Sequence, residues 1–103
     1  MITNQQSDAI LELVQAGRDV LEEQIVRENI TGLTIHSPAS RKLQLALRAF
    51  DELDDGSKTE ALVQTVRSFL KLHENAEGLT MNQFIAALTS LKVAYQALGR
   101  GDL

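Results

Sequence analysis

The chain has 103 residues, 44% of them hydrophobic, with ten basic and fourteen acidic residues for a net charge of −4. That length fits one domain, read as residues 1–103, with enough apolar content for a mainly aliphatic core, since Phe50, Phe69, Phe84 and Tyr95 are the sole aromatics. There is no cysteine, which excludes a disulfide framework and thiolate chemistry, and the acidic balance weighs against the concentrated basic stripe that nucleic acid requires.

The first residues, Met1 to Asp8, carry no basic segment followed by an apolar run, so no secretory leader is read and a cytoplasmic location is expected. Thr3 and Gln6 fit a capping box, and the first helix is expected over residues 4–28. Its apolar face reads Ile10, Leu13, Val14, Gly17, Leu21 and Ile25. Gly17 interrupts that face at a cost of roughly 1 kcal/mol relative to Ala, which suggests close approach of another helix. Opposite lie Asp8, Glu12, Asp19, Glu22 and Glu23. This acidic face is a candidate docking surface for a basic partner. As an ordinary solvated face it would be partly neutralised by Arg18 and by a Glu23–Arg27 pair.

Residues 29–37 differ in kind. Ile30-Thr31-Gly32-Leu33-Thr34-Ile35 is β-branched and alternates loosely, which predicts an extended crossover or one short strand in need of a pairing partner. Asn29-Ile30-Thr31 matches a glycosylation sequon but carries no weight without a secretory signal. Ser37-Pro38 then opens a second helix, with Pro at the first helical position, where its missing N–H costs nothing. That helix, 38–53, turns Leu43, Ala46, Leu47, Phe50 and Leu53 to one side. Leu45 lies off this stripe and is a second candidate apolar contact.

Asp54-Asp55-Gly56 ends the second helix, and Ser57-x-x-Glu60 is a capping box for a third over 58–74, with Leu62, Val66, Phe69 and Leu70 inward. After Glu77-Gly78, Thr80-x-x-Gln83 opens a fourth helix over 80–98, and Gly99-Arg100-Gly101 closes it. The fold class is therefore all-α: a four-helix domain with a long first helix, an extended crossover, then three short antiparallel helices.

The fourth helix is the strongest functional hint. From Thr80 to Leu98 it carries a single charge, Lys92. One side, Met81, Phe84, Leu88, Leu91, Tyr95 and Leu98, is a core stripe. The other, Ala86, Ser90, Val93 and Ala97, is small and uncharged, so it is covered either within the monomer or by another chain. It is no membrane span, because polar residues interrupt it.

Chemistry-bearing constellations are weak. Asp51–Gly56 and His73–Gly78 resemble calcium loops, but position twelve falls on Leu62 and Phe84, which cannot ligate. His36 and His73 have no partner at ligand spacing, so no metal site is assigned. No nucleophile elbow or phosphate-cradling loop is present, and no catalytic residue or cofactor is assigned. The one polar pair nominated for a ligand or reaction is His73 with Tyr95. Arg41, Lys42, Arg48, Lys58, Arg67 and Lys71 could serve a helix-turn-helix regulator, the alternative reading, although acidic residues flank the turn. The preferred expectation is a non-enzymatic interaction module (an adaptor, antiactivator, secretion chaperone or phage-type inhibitor). It would mask a partner protein's surface, as a homodimer, through Ala86, Ser90, Val93, Ala97 and Leu45.

Overall fold

The computed structural model describes residues 4–31, 38–53, 55–73 and 82–100, with the side chains of residues 4, 5, 27–31 and 38 left aside. These residues form four helices, α1 Asn4–Thr31, α2 Pro38–Glu52, α3 Gly56–Leu72 and α4 Asn82–Ala97, with no strand among them. The molecule measures 44 × 25 × 17 Å. Its long dimension matches α1, whose 28 residues span about 42 Å at 1.5 Å each.

The all-α expectation holds, and chain order alone does not give the neighbours. α1 packs chiefly on α4 and α2 chiefly on α3, with lighter α1–α2 and α3–α4 contacts joining the pairs. One core runs through all four helices, with Leu13, Val20, Leu43, Leu62, Val66, Phe69 and Leu91 fully buried. Each such side chain contributes about 1.5–3 kcal/mol relative to exposure.

Several local expectations are corrected. α1 does not stop at residue 28: it continues through Thr31, so residues 29–31 of the expected crossover are helical. β-branched residues cost only a few tenths of a kcal/mol each in a helix that is already nucleated. Residues 32–37 of that crossover, with His36, lie outside the described residues, as do Thr3, Ser37, Asp54, the Glu77-Gly78 turn, Thr80 and Met81. The buried face of α1 keeps Ile10, Leu13, Val14 and Gly17 of the expected stripe, with Leu21 half-buried, but is wider than expected and departs from it at the C-terminal end. Val20 is completely buried and Ala16 and Gln24 are buried, whereas Ile25 is 56% exposed. Gln24 tolerates burial because the Ser40 hydroxyl of α2 donates to its Oε1 at 2.6 Å, satisfying an oxygen that would otherwise lose water. Leu53, expected in the core, follows the last residue of α2 and is 61% exposed.

The start of α3 shifts as well. Its N-cap is Asp55 rather than Ser57: the Asp55 carboxylate accepts from the Lys58 N–H at 2.9 Å and from the Ser57 hydroxyl at 2.6 Å. The Asp55 carbonyl accepts the first helical bond, from the Thr59 N–H at 3.1 Å. Glu60, expected to complete a capping box, instead accepts from Gln64 and pairs with Arg100 at 3.0 Å. At the far end of α4, Gly99 adopts φ +79°, the left-handed geometry that ends helices at little cost in glycine.

Gly17 faces Leu43 and Leu47 of α2, but a Cβ there would stand 3.6 Å from the nearest Leu47 methyl, an ordinary contact. The close approach expected at this position therefore does not require glycine. Gly17→Ala should stabilise the protein by about 1 kcal/mol, the propensity difference, in a urea melt; a loss would mean that α2 cannot accommodate the methyl.

The Ser57 hydroxyl and the Lys58 N–H hold the Asp55 carboxyl below its ordinary value of 3.8. A depressed carboxylate stabilises the fold above its unfolded pKa, and that contribution disappears as pH falls through the folded value. Wild type should therefore lose more stability between pH 5 and pH 2 than Asp55→Asn, which keeps a cap without the charge; equal losses in thermal melts would place the effect elsewhere.

Candidate interaction groove

The outward residues of α4 are exposed in the isolated chain. Ala86, Ser90 and Ala97 are open to solvent and Val93 is 60% exposed, so no helix among the described residues covers this stripe. What α4 buries instead is Phe84, Ala87, Leu91, Ala94 and Tyr95, with Leu88, and Leu98 just past its end, half-buried against the core. Ala87 and Ala94 did not stand out in the sequence, because the large residues beside them dominate the pattern. They matter physically because small side chains let α1, the main neighbour of α4, come close.

That packing joins two features read separately in the sequence. A shallow groove of about 380 Å³ runs between the helices, with Glu12, Gln15 and Asp19 of α1 along one wall and Thr89, Ser90 and Val93 of α4 along the other. Ala16 and Ala94 form its floor. Thus Glu12 and Asp19 of the acidic face meet Ser90 and Val93 of the uncharged stripe. Gln15, Ala16, Thr89 and Ala94 complete the groove and were missed. Gln15 donates to Asp19 at 3.0 Å and steadies the acidic wall, while the Thr89 hydroxyl donates to the Ile85 carbonyl at 2.9 Å within α4. None of the four carries a sequence signal that distinguishes it from an ordinary helix surface residue.

The remaining candidates lie elsewhere. Asp8 and Glu22 are exposed on α1, and Glu23 is half-buried, with Oε2 shielded and unpartnered. Leu45 is 54% exposed on α2, which packs on α3 and α1, and it does not line the groove. The Arg18 guanidinium, expected to neutralise part of the acidic face, pairs with Asp51 at the end of α2. Arg27, the other expected neutraliser, has its side chain outside the described residues. Asp51 and Asp55 of the calcium-like turn are therefore an ion-pair partner and a helix cap.

His73 and Tyr95 do not form a site. His73 caps α3: its backbone N–H donates to the Phe69 and Leu70 carbonyls, and its ring stacks on Phe69 at 4.3 Å between centroids. Nδ1 lies 2.9 Å from the Phe69 carbonyl, which can only accept, so that nitrogen carries the proton. The ring also meets Phe84 edge-on at 6.2 Å. Tyr95 is buried eleven residues beyond Phe84, about 16 Å along the same helix. Among the described residues no group of three or more His, Asp or Glu could hold a metal ion, and no helix is long and apolar enough to cross a membrane.

The basic residues of the helix-turn-helix alternative are dispersed in their roles. Arg41, Lys42, Arg48 and Lys71 are exposed, Lys58 is half-buried, and Arg67 is half-buried and already engaged. A second cleft, of about 200 Å³, lies where Ile10, Thr59, Val63 and Leu98 converge, with Arg100 at its edge held by Glu60. Comparison with family models, with curated protein sequences and with solved structures returned no match.

Proposed function

We propose that this protein is a non-enzymatic interaction module that masks a surface of a partner protein with the α1/α4 groove and the uncharged stripe beside it. The observation that carries the reading is the exposure of Val93 together with Ala86, Ser90 and Ala97 on a helix with one charge. A helix surface without charges is cheap to dehydrate, and small side chains allow another backbone to approach closely. The homodimer expected from the sequence is the weaker form of this reading, because a second copy brings the same acidic wall and a net charge of −4.

Affinity purification from the native host tests the reading, using wild type beside Val93→Glu and Ala86→Arg. Both positions are exposed, so both variants should keep wild-type helicity and a stability within about 0.5 kcal/mol. The expected result is a discrete partner retained by wild type and lost with either variant. Identical retention by all three proteins would contradict an interface on this face.

A further inference from the structure

We infer that the occupant of the α1/α4 groove is a basic amphipathic helix of a partner protein, with small or β-branched residues on one stripe and Lys or Arg spaced seven residues apart beside it. This rests on the interaction reading above and names its partner's chemistry. The groove is uncharged on one wall and acidic on the other, with Val93 facing Glu12 and Asp19 across a floor of alanines. Among the described residues no cation answers those two carboxylates: Arg18, the nearest basic residue in sequence to Asp19, is committed to Asp51. Lys92, the one charge on α4, does not line the groove.

Among the described residues the acidic wall therefore has no paired cation, and it lies beside a surface that is easily dehydrated. A cationic side chain placed there gains attraction without displacing a cation of the described residues. The spacing follows from α1 itself. Glu12 and Asp19 are seven residues apart, two turns or about 10.5 Å along the helix, and a partner helix lying in the groove meets them with residues at the same interval. Its intervening stripe must be small where it crosses Ser90 and Val93. A second copy of this chain fits poorly: its matching face offers one lysine, outside the groove, and its acidic wall would add repulsion.

The test is fluorescence anisotropy with a labelled helical peptide of about 21 residues, three heptads, bearing Lys at one position of each heptad and Ala or Val beside it. A matched peptide with Glu in place of Lys is the control. Circular dichroism verifies the fold of each protein variant, and light scattering gives its oligomeric state. The Lys peptide should bind, the Glu peptide should not, and added salt should weaken binding. The double variant Glu12→Lys/Asp19→Lys should lose about tenfold or more in affinity, and Glu12→Gln/Asp19→Asn a smaller part of that.

Failure of the Lys peptide to bind, or equal binding by the charge-reversed protein, overturns the inference. Binding that is lost with Val93→Glu but kept with Glu12→Lys/Asp19→Lys overturns the charge recognition and leaves the interaction reading standing. A wild-type dimer that Val93→Glu dissociates assigns the groove to a second copy, which also overturns the inference but not the reading. If Val93→Glu alters neither peptide binding, oligomeric state nor partner retention, both fall.

Discussion

Helix α4 has almost no charge with which to hold water, so its position is set by how much of it the rest of the chain can cover. Ala87, Leu91 and Ala94 turn inward, and α1, the main neighbour of α4, turns Leu13, Ala16 and Val20 inward, so the facing surfaces are small and aliphatic. Only one side of α4 is covered in this way. With α1 on that side and α3 in lighter contact, the stripe of Ala86, Ser90, Val93 and Ala97 remains open. The groove follows from the same packing, since two helices that approach over Ala16 and Ala94 leave a shallow furrow above those residues.

Charge placement gives the furrow its character. Arg18 lies beside the acidic residues of α1 in sequence, yet its pairing with Asp51 ties α1 to α2, and among the described residues no cation pairs with Glu12 or Asp19. Both partners of that ion pair are about half exposed, so it adds little to stability. Buried polarity is handled more strictly: Gln24 and Ser40 bond across the α1–α2 contact, a directional link that favours one register of those helices over its neighbours.

The helices were legible in the sequence because their starts, stops and 3.6-residue periods agree. α3 shows this best, since Leu62, Val66, Phe69 and Leu70 were all expected inside and are buried. α1 was less legible for a physical reason. It contacts both α4 and α2, so its buried surface is wide, and hydrophobicity alone cannot choose between Val20 and Ile25 or admit Gln24. The cap of α3 was misplaced by two residues because Asp55 and Ser57 are both good caps, and only the backbone geometry decides between them. For the candidate site, the residues of each helix could be named but not their meeting. Glu12 and Asp19 lie about seventy to eighty residues from Ser90 and Val93, and no local pattern announces that α1 and α4 are neighbours.

The central claim is that α4 shows one alanine stripe to α1 and the other to solvent. The chain lacks cysteine, so single-cysteine variants report this directly. In thiol-labelling kinetics at protein concentrations low enough to keep the chain monomeric, Ala86→Cys and Val93→Cys should react at nearly the rate of an unfolded thiol. Ala87→Cys and Ala94→Cys should be strongly protected under the same conditions. Protection at Val93 equal to that at Ala94 would show that the chain covers both sides of α4 itself, and would contradict the account.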